Sequence, residues 1–232
     1  MLTKLKEQVL NANLELVKNG LVIYTWGNVS AIDRKTRLVA IKPSGIAYSI
    51  LNVDDIVVVN LDGQVVEGIL NPSVDLQTHL VLYKKFDKIG GIAHTHSTYA
   101  TAYAQANKSI LPYGTTHADY FYGEIPCTRP LTEDEVEYNY EYSTGKVIIR
   151  TFENCDPLAI PACLVGNHGV FAWGESAEEA VHNATVTEQC AKMAYLTETL
   201  CPGAKPIDQY LLDKHFNRKH GKNASYGQKG SL

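Results

Sequence analysis

The sequence lacks any long hydrophobic run and any strong excess of charge of one sign. No apolar stretch approaches the roughly 20 residues that cross a bilayer, and the net charge over 232 residues is only −4. The missing apolar runs argue against an integral membrane protein. The weak charge argues against a general nucleic-acid binder, because such proteins carry a basic surface. The chain begins like an amphipathic helix rather than a signal peptide.

The cysteines are poorly arranged for disulfides or for a thiolate metal site. The 5 cysteines are odd in number, widely spaced and contain no Cys-x-x-Cys pair. We therefore expect reduced thiols in a cytoplasmic protein. With 45% hydrophobic and 20% charged residues, the composition is typical of a globular protein with one domain and a substantial core.

Three histidines, by contrast, occupy positions that indicate a possible function. His94 and His96 follow the apolar run at residues 89–93, which predicts a buried strand. Alternate side chains of a strand point to the same face, so both imidazoles can reach one point. A third histidine, His168, stands before Gly169 between two further apolar runs. Each histidine alone could be an ordinary polar residue, but the three together favour a metal site.

Asp75 is the expected fourth member of the metal shell, because a carboxylate offsets the charge that three neutral imidazoles leave on a divalent cation. An aspartate in the first turn of a helix also interacts favourably with the macrodipole, and both roles can hold together. His79, one turn later, is a rival ligand, although it continues the helix into packed structure. Zinc suits a histidine-rich site, but manganese or cobalt would also fit, because ligand type alone does not decide the metal.

Periodicity and turn residues predict the remaining elements. Helices are predicted at residues 2–18, 74–86, 97–106, 177–200 and 207–218, with Ser73 as the cap of the second. Strands are predicted at residues 21–25, 38–41, 56–59, 146–152, 162–165 and 170–173. The polar tail, residues 219–232, should be mobile unless another surface holds it.

Two further groups of polar residues are candidates for chemistry. The turns at residues 26–30 and 42–45, with Ser73, offer amides, hydroxyls and a lysine to an anion, although each is a common turn by itself. Residues 115–123 place Asp119 among tyrosines, where a carboxylate has a route to a raised pKa and to acid–base work. The alternative is a polar loop packed by its own tyrosines. A basic helix end and polar tail follow, with His215, Arg218, His220 and Tyr226.

Together these segments resemble the L-ribulose-5-phosphate 4-epimerases of the class II aldolase superfamily. The resemblance covers nearly the whole chain in order and rests on residues 25–30, 41–45, 94–97, 114–123 and 214–228. The His-x-His motif is shared across the superfamily, whereas the run Thr-Thr-His-Ala-Asp-Tyr-Phe-Tyr-Gly is specific to the epimerase branch. The resemblance implies an α/β fold, in which residues 1–232 form a single domain with a largely antiparallel central β-sheet flanked by helices.

The resemblance also implies a role for each candidate residue. One divalent metal per subunit, zinc by preference, would be bound by His94, His96 and His168 with Asp75 close by. The two acid–base residues would be Asp119 and Tyr226. Contacts to the substrate and its phosphate would come from Gly27, Asn28, Lys42, Ser44, Gly45, Ser73, Val74, Thr115, His215 and Arg218. The family forms cyclic homotetramers with active sites at subunit interfaces, where the tail would be ordered and Tyr226 would reach a neighbouring subunit.

The implied reaction interconverts L-ribulose 5-phosphate and D-xylulose 5-phosphate in arabinose or ascorbate catabolism. The inverted carbon, C4, bears no acidic hydrogen, so deprotonation cannot invert it. Retro-aldol opening of the C3–C4 bond and re-addition to the other face of the aldehyde can. The metal would act as a Lewis acid, two acid–base groups would serve the two faces, and a grip on the phosphate would retain the fragment.

Two departures from the family pattern and two rival functions accompany this interpretation. Val74 replaces a frequent second serine of the phosphate site, which predicts weaker substrate binding, and Ser225 replaces a common tyrosine, which predicts a looser tail.

A sugar 1-phosphate aldolase is the enzymatic rival, but those enzymes place glutamate where Asp75 stands. A metal-free binding module such as the adducin head is the rival from another class, and such modules lose the histidines that this chain keeps.

Overall fold

A computed structural model describes residues 2–221 and residue 224. Tyr226, Ser225 and most of the predicted tail lie outside the described residues. The helices are α1 Leu2–Lys18, α2 Leu76–Lys85, α3 Thr98–Gln105, α4 Thr115–Ala118, α5 Glu133–Thr151, α6 Ala177–Leu200 and α7 Gln209–His220. The strands are β1 Asn28–Asp33, β2 Leu38–Ile41, β3 Val57–Asn60, β4 Val65–Glu67, β5 Gly91–Thr95, β6 Ala162–Leu164 and β7 Val170–Gly174, with a 3₁₀ turn at Val53–Asp55.

The strands form one sheet of seven strands in the order β4-β3-β2-β1-β5-β7-β6. All pairings between these strands are antiparallel. The register places Asn28 of β1 opposite His94 of β5, and His94 opposite Phe171 of β7. The start of β1, the end of β5 and the turn before β7 therefore meet at one edge of the sheet, which is where the histidines lie.

The hydrophobic core covers both faces of the central strands, since every residue of β5 and β7 is buried. Helix α6 packs along these two strands, and α1 packs against β1. Glycine at the start of β5 permits the close approach of α6: a Cβ at Gly91 would lie 2.4 Å from the Ser176 carbonyl oxygen. This α/β domain with an antiparallel sheet flanked by helices confirms the predicted fold class. Within the described part of the chain, no helix has the length and apolar character to cross a membrane.

Several predicted elements are confirmed, and two strands are wrong. Helices α1 and α6 have the predicted bounds, and all five cysteines are free thiols as expected. Residues 21–25 are not a strand, because Tyr24 adopts a left-handed φ of 54° that interrupts an extended chain. The first strand instead begins at Asn28, inside the segment predicted to be a turn.

The second error concerns residues 146–152, which are helical and not a strand. They form the end of α5, which begins with a capping box: Thr132 accepts from the Glu135 amide, and Glu135 accepts from the Thr132 amide. The apolar residues that suggested a strand, Val147 and Ile148, are buried on this helix, which packs against α2. Tertiary packing here outweighs the strand preference of β-branched residues.

The start of α2 also differs from the prediction. The helix begins at Leu76, so Asp75 occupies the N-cap position and Ser73 lies two residues before it. Asp75 makes no side-chain capping bond, because its carboxylate is engaged outside the helix, as described below. Ser73 is therefore not the cap of this helix.

Candidate active site

Three imidazoles converge at the edge of the sheet. His94 lies near the end of β5, His96 follows that strand, and His168 lies in the turn between β6 and β7. One ring nitrogen from each histidine lies within 4.8 Å of the others. The Nε2 atoms of His94 and His96 are 3.2 Å apart. The fold therefore brings together the three histidines that the sequence predicted as metal ligands.

The His94 ring is fixed from two sides. Its Nδ1 atom donates to the carbonyl oxygen of Val170 at 2.8 Å, and its ring stacks on Phe171 with centroids 4.2 Å apart. A histidine that donates through Nδ1 presents the lone pair of Nε2 on its other side. That lone pair faces the cluster, so His94 is oriented for a metal before any metal binds.

His168 is brought into place by a tight turn. Gly169 allows the turn to contact β5, since a Cβ there would lie 2.8 Å from the carbonyl oxygen of Thr95. The Nδ1 atom of His168 lies 3.2 Å from the hydroxyl of Tyr140. Glycine at this position thus permits a close backbone approach, which sets the third ring against the other two.

The donor set fits a divalent transition cation. Burial, with a smaller effect of the charge of His94, lowers the pKa of His96 to about 4 and that of His168 to about 3. Both rings are therefore neutral at pH 7, which is the form that binds metals. The 3.2 Å between the Nε2 atoms of His94 and His96 is close to the edge of about 3.3 Å in a tetrahedron with metal–nitrogen bonds of about 2.0 Å.

Asp75 lies in the same cavity as the histidines but outside the cluster of three nitrogens. The Asn28 side-chain amide donates to its Oδ2 atom at 2.7 Å. Burial alone would raise the pKa of Asp75, but the charges of His94 and His79 and the bond from Asn28 together hold it below its usual value. An ionised carboxylate beside three imidazoles suits a cation, and its place as a fourth ligand stays a prediction.

His79, the rival ligand, belongs to the core. Its ring is completely buried against the edge of Phe171, and its Nδ1 atom lies 2.7 Å from the hydroxyl of Ser30. Burial lowers the pKa of His79 to about 3. Among the described residues it is not part of the metal-ligand cluster.

A cavity of about 930 Å³ opens beside the histidines. Its wall requires glycine at Gly27, which has a φ of 82° and where a Cβ would lie 2.6 Å from the His94 carbonyl oxygen. The predicted phosphate contacts that line it are Gly27, Asn28, Lys42, Ser44, Gly45, Ser73 and Val74. The predicted anion site and the histidine cluster therefore share one cavity.

Two polar groups of this wall have unused hydrogen-bonding capacity. The side-chain amide of Asn28 donates to the Ser73 hydroxyl at 3.0 Å, but its buried Oδ1 atom has no partner in the described part of the chain. Lys42 is buried, its ammonium donates to the Pro43 carbonyl at 3.3 Å, and burial lowers its pKa. A ligand with both acceptor and donor groups would satisfy them.

Asp119 lies in a second polar cluster, where α4 faces α7. Arg218 donates to both carboxylate oxygens, at 3.0 and 2.7 Å, and His215 donates to one of them at 3.0 Å. His220 donates to the backbone carbonyl of Asp119 at 2.9 Å. We call this group of Asp119, His215, Arg218 and His220 the aspartate cluster.

The environment of Asp119 is opposite to the predicted one. Burial favours its neutral form, but the hydrogen bonds from Arg218 and His215, and the charges of Arg218 and Lys219, hold the pKa below its usual value. The prediction of a raised pKa is therefore wrong, because basic residues of α7 face the carboxylate. Asp119 is ionised at neutral pH and can accept a proton.

The aspartate cluster does not reach the cavity of its own chain. None of four predicted site residues lines that cavity: Thr115, Asp119, His215 and Arg218. The chain as described thus carries two separate sets of site residues, one with the histidines and the anion site, the other around Asp119.

Sequence reasoning missed the part of the cavity formed by two helices. Helix α3 contributes Thr98, Thr101 and Gln105, and α5 contributes Tyr140 and Glu141. The residues of α3 recur at helical spacing after His96, so the periodicity of this predicted helix could have indicated them. The capping box at Thr132 could have indicated α5.

The comparisons with known proteins agree with this geometry. The chain matches the family described as Class II Aldolase and Adducin N-terminal domain over residues 7–195. Curated relatives from Salmonella paratyphi A and Salmonella typhi, both named L-ribulose-5-phosphate 4-epimerase UlaF, are 58% identical over 226 residues. The match covers 97% of this chain and 99% of theirs.

Solved structures show the same fold. An L-fuculose 1-phosphate aldolase matches with a TM-score of 0.79 and 26% identity, covering 93% of this chain and 95% of the aldolase. The L-fuculose-1-phosphate aldolase from Thermus thermophilus matches with a TM-score of 0.68 and 25% identity, over 88% of this chain and 100% of its own. The chain belongs to the class II aldolase and adducin N-terminal domain family.

Proposed function

We propose that the protein is an L-ribulose-5-phosphate 4-epimerase, which interconverts L-ribulose 5-phosphate and D-xylulose 5-phosphate with a divalent metal. The observation that carries the proposal is the single cavity that holds three clustered imidazoles beside an anion site. The 58% identity to epimerase relatives over nearly the full length supports the choice of reaction within the family. We place the reaction in arabinose or ascorbate catabolism in the cytoplasm.

The reaction inverts C4 by opening and reclosing the C3–C4 bond, since C4 bears no acidic hydrogen. His94, His96 and His168 would hold the metal, with zinc as the first choice and manganese or cobalt as alternatives. When bound, such a cation supplies Lewis-acid stabilisation of the negative charge that develops on substrate oxygens. Ser44, Ser73 and the buried ammonium of Lys42 would hold the phosphate, which keeps the aldehyde fragment in the cavity while its reacting end turns.

Asp119 and Tyr226 would be the acid–base residues on the two faces of the aldehyde. Asp119 is ionised, as a proton acceptor must be, and Arg218 and His215 hold its carboxylate in place. Asp119 does not line the cavity of its own chain, which supports a role for it in the cavity of another subunit. We therefore place the active site at the interface of a homotetramer, with Tyr226 contributed across the same interface.

A sugar 1-phosphate aldolase is the second candidate, and the structural match to L-fuculose 1-phosphate aldolase favours it. An aldolase releases the aldehyde, whereas an epimerase retains it and adds it back. Aspartate at position 75, where those aldolases have glutamate, and the segment around Asp119 favour the epimerase. The clustering of all three histidines disfavours a metal-free binding module.

The test is an assay with L-ribulose 5-phosphate on protein as purified, after treatment with a chelator, and after addition of zinc, manganese or cobalt. We expect D-xylulose 5-phosphate to form, chelation to abolish its formation, and one of the metals to restore it. Free glycolaldehyde phosphate should not accumulate. Full turnover by metal-free protein would contradict the metal dependence, and accumulation of the aldehyde would favour the aldolase.

A further inference from the structure

The Nδ1 atoms of His94 and His168 have different hydrogen-bond partners. His94 donates through Nδ1 to the backbone carbonyl of Val170, an acceptor that the sheet itself fixes. His168 instead meets a side chain, the hydroxyl of Tyr140, at 3.2 Å from Nδ1, with the two ring centroids 5.8 Å apart. The orientation of His168 therefore depends on where α5 places one phenol.

A break in α5 places this phenol. Asn139 has φ −165° and ψ 65°, so the helix is interrupted immediately before Tyr140. The residues before the break are mostly exposed, as Val136 and Tyr138 show at 51% and 77%. Tyr140, directly after the break, lines the cavity. The change of direction turns Tyr140 away from solvent and towards the histidines.

The second half of α5 is docked tightly on α2. A Cβ at Gly145 would lie 2.7 Å from a methyl of Val81, so only glycine allows the two helices to come this close. The buried hydroxyl of Thr78 on α2 donates to the carbonyl of Glu141 at 2.7 Å. Tyr140 is thus adjacent to a backbone group that α2 holds, and α2 also carries Asp75 at its N-cap.

We propose that Tyr140 is a positioning residue of the metal centre: its hydroxyl accepts the Nδ1 proton of His168 and so directs the Nε2 lone pair into the cluster. A metal-ligating histidine generally needs such an outer partner, which fixes its tautomer and its ring orientation. This inference rests on the metal-dependent function proposed above.

The test compares zinc affinity and the visible spectrum of bound cobalt in wild-type protein, Tyr140→Phe and Tyr138→Phe. Zinc affinity is measured by competition with a chromophoric chelator, and the unfolding free energy of each metal-free protein is measured in urea. We expect Tyr140→Phe to bind zinc about 10- to 100-fold more weakly, the usual effect of losing an outer partner. Its cobalt spectrum should change, while its metal-free stability stays close to wild type, because the ring remains.

Tyr138→Phe is the matched control, since it removes the same hydroxyl two positions earlier from an exposed side chain. It should match wild type in all three measurements. If Tyr140→Phe binds zinc as tightly as Tyr138→Phe and its cobalt spectrum is unchanged, the proposed role of Tyr140 is overturned. Failure of the wild-type protein itself to bind zinc or cobalt would overturn the metal-dependent function, so the two failures are distinguishable.

Discussion

At the scale of single residues, His117 is a buried, neutral histidine outside the cluster of three histidines. Its burial predicts that the folded protein loses stability in acid. His117 is 4% exposed, and its Nε2 atom donates to the Gly123 carbonyl at 2.7 Å. Burial lowers the pKa of His117 from 6.5 to about 4, against the smaller opposing effect of the bond to Gly123. The folded protein therefore holds this ring neutral where the unfolded chain would protonate it.

The consequence is a loss of stability as the pH falls. The folded pKa is below the unfolded one, so His117 contributes its stability above about pH 6.5 and loses it progressively down to about pH 4. The loss over this window is on the order of 3 kcal/mol for this one group. Urea unfolding of metal-free protein at several pH values from 7 to 4 measures it.

His117→Gln isolates this effect from the other buried histidines, because the amide can donate to Gly123 but does not titrate. We expect the unfolding free energy of the variant to depend less steeply on pH than that of wild type. Equal slopes for the two proteins would contradict the assignment to His117.

Asp119 shows which properties of a single residue can be predicted from the sequence and which cannot. The residue itself could be chosen from its neighbours in the chain, but its electrostatic environment could not. The groups that determine its pKa, His215 and Arg218, lie 96 and 99 positions later. Aromatic neighbours in sequence suggested a raised pKa, and basic neighbours in space lower it. The three histidines were predictable because strand alternation and the glycine turn act locally.

At the scale of elements, α3 depends on a residue of another helix. Its N-cap, Ser97, makes no side-chain capping bond. Glu188 of α6 instead accepts from the backbone amides of Tyr99 and Ala100, both at 2.9 Å. These amides would otherwise lack protein partners at the start of the helix, and the carboxylate also interacts favourably with the macrodipole. Helix α3 directly follows His96, so Glu188 also helps to hold that predicted metal ligand.

Replacing Glu188 by alanine should destabilise the protein. Glu188 is 8% exposed, and removal of the carboxylate leaves two backbone donors unpaired, one of them buried, which costs about 2–3 kcal/mol of unfolding free energy. Glu188→Gln should lose less, because the amide oxygen can still accept one bond. Gln189→Ala, at the exposed neighbouring position, is the control. Unfolding in urea that gives the same midpoint for Glu188→Ala and Gln189→Ala would refute this role.

The accuracy with which each element is predicted depends on whether local sequence or contact with distant residues determines it. Helices α1 and α6 have local signals, an apolar stripe and a long periodic run, and their bounds match the prediction. The apolar run at the end of α5 is compatible with a strand or with a helix. Its packing through Gly145 against Val81 favours the helix. Strand β1 was hidden because its first residues read as a turn, whereas pairing with β5 makes them extended.

At the scale of the whole molecule, the described residues of one chain keep the two parts of the proposed active site apart. The histidines and the predicted anion site share a cavity, and the aspartate cluster lies between α4 and α7. The fold class could be inferred from resemblance, but this separation could not, since it depends on strand order and on helix docking. A cyclic assembly, in which each subunit presents one surface to the other surface of its neighbour, would unite the two sets.

Mixed subunits can test this arrangement. His94→Ala should remove the metal site, and Asp119→Asn should remove the acid–base group while leaving metal content intact, so each variant alone should be nearly inactive. In tetramers formed by coexpression of the two, some interfaces pair an intact histidine cluster with an intact Asp119. Random mixing in a head-to-tail ring predicts about a quarter of the wild-type activity per subunit.

The matched control is a mixture of His94→Ala with His168→Ala. Both substitutions damage the same cluster, which each subunit builds from its own chain, so no arrangement of these subunits yields an intact metal site. Purification through two different affinity tags ensures that every tetramer contains both variants. If Asp119 acts across the interface, only the mixture of His94→Ala with Asp119→Asn regains activity. If that mixture stays as inactive as the control, Asp119 does not serve a neighbouring metal site.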